Sequence, residues 1–221
     1  MTAGEMINQM IPPLKVDDDA HKALVWMDEF YCPHLPVVRD REFLGFISES
    51  IILESNNIDK KVSDFPLIGS KCYVGLQSHL YDVLKAASEH KLQLVAVLDE
   101  TQQYQGVITV QDAMAFFAQS AAVQMPGGIL VLYMNYTDYS LAEISRLVEE
   151  NRVKILSSIV KEDPNEPGKI RLTLKLNQTD LSRTVATLER FGYKVIGRYQ
   201  ETQLIGSEKE RLEMLLRYLD I

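Results

Sequence analysis

The chain writes one phrase twice. His34-Leu35-Pro36-Val37-Val38 leads through a short polar loop to Gly45-Phe46-Ile47-Ser48, and about sixty residues later Leu94-Val95-Ala96-Val97-Leu98 leads through a similar loop to Gly106-Val107-Ile108-Thr109. Each copy is an apolar strand, a charged or polar turn, and a second strand that opens on Gly and closes on a hydroxyl residue. Short apolar runs bounded by turn residues read as strands, and the pattern after each second strand changes to a helical period. An internal repeat constrains a fold more than any single motif, because two similar units must bury similar faces, usually against each other. It points to paired, related pockets and away from a one-off catalytic constellation.

With 221 residues the chain has room for more than the repeat alone. The longest apolar run, Ile129 to Met134, is far too short to span a bilayer, and the start Met1-Thr2-Ala3-Gly4-Glu5 has no signal-peptide pattern. Two cysteines, Cys32 and Cys72, form no disulfide framework or metal spacing, which suits a reducing compartment. The net charge is −8 with basic residues scattered, which disfavours duplex nucleic acid as a partner. The expectation is an acidic cytoplasmic protein with no membrane and no nucleic-acid role.

Along the chain, residues 1–13 carry Met6, Ile7, Met10 and Ile11 at helical spacing, stopped by Pro12-Pro13. The first repeat then predicts a strand at 14–16, a helix at about 18–30, strands at 34–39 and 43–48, and a helix at about 49–56. The second predicts a strand near 71–74, a helix at 78–90, strands near 93–98 and 105–109, and a helix from 110 to about 122. Met125-Pro126-Gly127-Gly128 breaks the pattern and marks the boundary, giving a paired domain over 1–124 (repeats about 1–60 and 61–124) and a second domain over 125–221. The second domain reads as βαββαβ. Its strands fall at 129–135, 154–160, 169–176 and 193–196. Its first helix opens with a capping box at Ser140 and Glu143, and its second covers about 180–190. A last helix with a capping box at Ser207 and Glu210 is expected to place Leu212, Leu215, Leu216 and Leu219 on one side. The fold class is mixed, α+β or α/β, with small sheets and packed helices.

Other clusters offer little chemistry. Asp17-Asp18-Asp19 before a helix reads as a solvated, dipole-favouring N-terminus rather than a metal site. His34, His79 and His90 lack ligand spacing. No Ser, Cys or Lys is framed as an activated nucleophile. Trp26 and Met27 are expected in the core, and Tyr133, Tyr136 and Tyr139 form either an interface patch or a half-buried strand end.

The two repeats resemble a tandem pair of cystathionine-β-synthase-type (CBS) domains. His34 to Val38 and Gly45 to Ser48 carry the likeness in the first copy. Gly106-Val107-Ile108-Thr109-Val110-Gln111-Asp112 carries it in the second, fitting the family's Gly-x-x-Thr/Ser-x-x-Asp pattern. The unit at about 128–200 looks like an ACT domain, a small regulatory ferredoxin-like fold. The combination is similar to acetoin-utilisation-type regulatory proteins. The resemblance implies a non-catalytic regulator that binds AMP, ADP, ATP or S-adenosylmethionine, forms a homodimer and reports to an unidentified regulated protein.

The chemistry of the motif stands beside the resemblance. A Thr hydroxyl at a helix N-terminus can donate to a phosphate where the helix dipole favours an anion, and a carboxylate three residues on can accept from ribose hydroxyls. Thr109 and Asp112 are therefore the candidate phosphate and ribose contacts, with Val95, Ala96, Cys72 and Tyr73 as candidate walls of an adenine slot. The same two residues would equally cap the helix with no ligand, which leaves a scaffold with degenerate pockets as the alternative. Ser48 is the corresponding hydroxyl of the first copy, but Ile51 stands where the pattern has Asp, so one competent site is expected rather than two. In the second unit Asp138 and Tyr139 stand where amino-acid-binding ACT domains carry Pro and Gly. Dimerisation is therefore the expected role of that unit, with amino-acid sensing the alternative.

Overall fold

The computed structural model describes residues 2–55 and 57–200. The chain divides into two compact units, Met1–Gln119 and Ser120–Ile221. Helices and small sheets alternate in both, so the fold is mixed α+β. The predicted helix at 207–220 lies outside the described residues.

In the first unit, β1 (Leu14–Lys15), α1 (Ala20–Glu29), β2 (His34–Arg39), β3 (Glu42–Ser48) and α2 (Glu49–Glu54) form one repeat. The second comprises β4 (Tyr73–Gly75), α3 (Leu80–His90), β5 (Leu94–Leu98), β6 (Tyr104–Thr109) and α4 (Val110–Ala118). Each sheet has the first strand parallel to the second and the third antiparallel to it, in the orders β1-β2-β3 and β4-β5-β6. Both carry a bulge at the same place, between Val37 and Val38 and between Val97 and Leu98. The repeat read from sequence is a repeat of topology down to this irregularity.

The glycines of the repeated phrase have a steric reason. Gly45 (φ +145°) and Gly106 (φ +154°) both adopt backbone that L side chains avoid. A Cβ on Gly45 would lie 2.9 Å from the Ile68 carbonyl oxygen, and one on Gly106 would lie 2.5 Å from the Ile7 side chain. Each glycine thus admits a segment that closes the sheet beside it. The Phe46 and Ile68 backbones exchange two hydrogen bonds of 2.8 Å, and the Asn8 N–H donates to the Val107 carbonyl at 2.8 Å. The N-terminal segment therefore closes the second repeat, while the link between repeats closes the first. This use of residues 7 and 8 explains why the helical spacing of Met6, Ile7, Met10 and Ile11 yields only one 3₁₀ turn, Ala3–Met6. The Asn8 backbone is spent on pairing with β6. One continuous core, including Leu14, Phe46, Ile47, Leu94 and Ile108, runs through both repeats.

The helix expected from 110 to about 122 ends at Ala118, and a separate short helix, α5 (Ala121–Gln124), opens the second unit. The Pro126-Gly127-Gly128 break then lies inside that unit and leads directly into β7 (Gly128–Asn135). The remaining elements are α6 (Leu141–Glu150), β8 (Ile155–Glu162), β9 (Lys169–Leu176), α7 (Ser182–Arg190) and β10 (Lys194–Gln200). The antiparallel sheet has the order β10-β7-β9-β8, which is the ferredoxin-like βαββαβ topology. Burial alternates along β7, where Leu130, Leu132 and Met134 point into a core shared with Ile144, Leu147 and Leu188. The Ser140 box is half formed. Ser140 Oγ accepts from the Glu143 N–H at 3.3 Å, but the Glu143 carboxylate accepts from the Tyr193 hydroxyl at 2.9 Å instead of turning back to the cap. Leu141, the first residue of α6, is exposed, while Ile144, Leu147 and Val148 are buried.

Candidate functional site

The end of β6 and the start of α4 form the most organised polar cluster in the first unit. Thr109 is the N-cap of α4, and its hydroxyl accepts from the Asp112 N–H at 2.8 Å. Asp112 Oδ2 accepts from the Thr109 hydroxyl at 2.6 Å, from the Thr109 N–H at 3.3 Å and from Asn8 Nδ2 at 2.9 Å. The pair is thus a complete capping box tied to the segment that closes the second repeat. Asp112 Oδ1 accepts no hydrogen bond from a described residue.

Beside this box opens a cleft of about 600 Å³, to which the second repeat contributes Gln93, Thr109, Gln111 and Met114, and the first repeat Phe30, Tyr31 and Cys32. Ile11 adds a wall from the N-terminal segment. Tyr31 holds a left-handed backbone (φ +50°) and is 92% exposed, and Met114, which lines the same cleft, is 63% exposed. The cleft offers an apolar slot with a helix N-terminus and two side-chain amides at its edge.

The other sequence-predicted residues are placed elsewhere. Val95, Ala96 and Cys72 are fully buried, and none of them lines this cleft, nor does Tyr73. The reason is that all of β5 is buried, so its side chains serve the core. The Cys72 thiol donates to the Leu94 carbonyl at 3.4 Å, and burial pushes it up to about 11, so it is a core thiol. Ser48 is buried at the N-terminus of α2, where it makes no cap bond and instead pairs with the Ser50 hydroxyl at 2.9 Å. Ile51, in the Asp position, packs against the core. The hydroxyl–carboxylate pair therefore exists in one repeat only. The apolar walls that sequence reasoning missed had a signal. In α4, Met114, Ala115, Phe116, Phe117 and Ala118 run together, more apolar surface than a one-sided core helix needs.

The acidic run before α1 is occupied by folding contacts. Asp18 bonds the Lys15 N–H and Lys22 Nζ, Asp19 caps α1 through the Lys22 N–H, and Asp17 pairs with Lys61 at 3.2 Å. Among the described residues no group of three or more His, Cys, Asp or Glu is arranged to hold a metal, and no helix is long and apolar enough to cross a membrane. In the second unit a cleft of about 620 Å³ is lined by Asp138, Glu143, Glu166, Lys169 and Lys194, charges of both signs at one end of the sheet. Lys169 and Lys194 each stand 5.6 Å from the centre of the Tyr133 ring, while Tyr139 packs against the core.

No protein-family model matches the sequence. Among solved structures, protein MJ1004 from Methanocaldococcus jannaschii is similar over 57% of this chain and 62% of its own, at 14% identity and a TM-score of 0.50. A CBS domain pair/ACT domain protein from Thermotoga maritima matches over 54% of this chain and 98% of its own, at 18% identity and a TM-score of 0.49. CBSX2, solved in complex with AMP, matches over 53% of this chain and 96% of its own, at 22% identity and a TM-score of 0.45. The likeness is one of fold.

Proposed function

We propose that the chain is a non-catalytic cytoplasmic regulator whose first unit is a CBS pair sensing an adenosine-containing ligand, AMP, ADP, ATP or S-adenosylmethionine, in the Thr109 cleft. The observation that carries this reading is Thr109, the hydroxyl half of the box with Asp112, lining an apolar cleft built from both repeats. A nucleoside laid between Tyr31 and Met114 would touch the two repeats at once, and so would favour one arrangement of them over another. The second unit, read as an ACT-like domain, would make the homodimer that passes this difference to a regulated protein. Supporting that role, the outermost strands β8 and β10 present Ile159, Val160 and Tyr199 to solvent, a pattern that invites strand pairing. Ile159→Lys is expected to lower the mass measured by light scattering from dimer to monomer. An unchanged mass would remove β8 from the interface.

The deciding experiment is a thermal-shift screen with AMP, ADP, ATP, S-adenosylmethionine and NAD. A ligand of the native state raises the melting temperature with concentration. The shift is expected to vanish in Ala115→Arg, which fills the cleft without touching the cap, and to shrink in Asp112→Ala. If none of these ligands shifts the wild type, Thr109 and Asp112 are a cap alone and the first unit is a scaffold. A second reading, amino-acid sensing, is favoured by the mixed charges of the Lys169–Lys194 cleft, which suit a zwitterion. A shift produced by free amino acids and lost in Lys194→Ala would support it.

A further inference from the structure

The repeat creates a second pair of related clefts, at the hairpin-turn end of each sheet. Thr109 stands at the opposite end of β6. In the first repeat the cleft holds about 710 Å³ and is lined by Lys15, Arg39 and Arg41, with Val16, Val38 and Tyr104 as apolar walls. Its counterpart in the second repeat holds about 670 Å³ and is lined by Asp99 and Glu100, with no Lys or Arg. The corresponding end of the sheet thus carries opposite charge in the two repeats, around a tight turn after Arg39 in the first and a longer loop after Leu98 in the second.

Two carboxylates also line the basic cleft, Asp17 and Asp40. Asp17 is already paired with Lys61. The Lys15, Arg39 and Arg41 side chains have no ion pair or side-chain hydrogen bond among the described residues, and the Tyr104 hydroxyl is buried with no hydrogen-bond partner among them. The backbone adds a second observation. Arg39 pairs with Glu42, so Asp40-Arg41 is a two-residue hairpin loop, and both residues have positive φ, +46° and +72°. Such loops favour Gly at the second position. Here an arginine occupies it, and Arg41 keeps a left-handed backbone that costs a non-glycine residue while lining the same cleft as Arg39.

We propose that this cleft binds a phosphate-bearing small molecule. Arg39 and Arg41 would grip the phosphate oxygens with their planar donor forks, Lys15 would add charge, and Val16, Val38 and Tyr104 would hold an apolar remainder. The second repeat's equivalent cleft repels the same ligand through Asp99 and Glu100.

The test uses the full chain, titrated calorimetrically with phenyl phosphate and with inorganic phosphate at constant ionic strength. Phenyl phosphate is expected to bind saturably and more tightly than inorganic phosphate. Arg39→Ala is expected to weaken it by about tenfold or more, the effect of losing one charge-assisted contact. Arg41→Gly should weaken it similarly while leaving the melting temperature of the ligand-free protein unchanged or higher, because glycine relieves the turn. Asp112→Ala, in the other cleft, should leave phenyl phosphate binding intact. The proposal is overturned if neither probe binds saturably, or if the folded Arg39→Ala/Arg41→Gly double variant keeps its affinity within about twofold. Loss of binding in Asp112→Ala but not in the arginine variants would also overturn it, by moving the phosphate to the Thr109 cleft.

Discussion

The two repeats of the first unit share a sheet, a bulge and a glycine, yet they start their last helices differently. In the second repeat Thr109 and Asp112 close a reciprocal cap on α4, and Asn8 from the other end of the unit bonds the same carboxylate. In the first, Ser48 caps nothing and Ile51 turns inward to the core. The strand positions diverge as well, since His34 of the first repeat stands where the second has Leu94. What is shared is what the sheet needs in order to close. What differs lies at the helix starts and strand ends.

The largest effects should come from breaking what the repeats share. Gly45→Ala sets a Cβ against a carbonyl oxygen that cannot move without losing its hydrogen bond to Phe46, whereas Gly106→Ala meets the movable Ile7 side chain. Both should destabilise, the first by ~3 kcal/mol and the second by ~1–2 kcal/mol, measured by urea unfolding. Equal losses would mean that the two closures are equally rigid. The helix starts should then separate the repeats. Thr109→Ala removes a bonded cap and should cost ~1–2 kcal/mol, while Ser48→Ala should cost well under ~1 kcal/mol because no cap is lost. A similar cost at both would show that Ser48 contributes through packing as much as Thr109 does through capping.

The smallest effect is one of pH. His34 has a buried Nδ1 with no partner among the described residues, and burial holds its pKa below the ordinary 6.5. The folded state therefore binds fewer protons than the unfolded one. Its contribution to stability is present above pH 6.5 and is lost as pH falls from there through the depressed folded value. His34→Leu copies the second repeat's residue, and the variant should lose part of the acid sensitivity of unfolding. A curve as steep as that of the wild type would assign that sensitivity to the carboxylates, such as Asp163, which the Asn165 N–H and then Arg171 hold below the usual range.

Much of this architecture is legible in the sequence. The repeated phrase marks β2, β3, β5 and β6 because Gly45 and Gly106 punctuate apolar runs, and the strand expected at 169–176 is β9, where Ile170, Leu172, Leu174 and Leu176 alternate with other residues. Local pattern failed where a distant partner decides. Ile7 belongs to a helical period, but its side chain fills the space that Gly106 leaves, and Asn8 beside it pairs with Val107 of β6. The site divided in the same way. Thr109 and Asp112 were legible because their bonds span one helical turn. The cleft walls were not, since Phe30 and Tyr31 reach it from the other repeat, while Val95 and Ala96 belong to a strand whose burial on both sides no local period reveals.

The exchange of closing segments has a consequence in time. The Asn8–Val107 pairing joins positions about a hundred residues apart, and it cannot form until the second sheet exists. Contacts of such long sequence separation pay their loop entropy late, and they slow folding. During synthesis the segment around Ile7 would emerge long before its acceptor strand. Its apolar residues would then wait unpaired while the first repeat assembles around the Phe46–Ile68 link. The second repeat would thus complete last, and its completion would draw in Asn8 and, with it, its bond to the Asp112 carboxylate that caps the helix beside the Thr109 cleft. A chain interrupted before that step would hold a closed first repeat and an unfinished site.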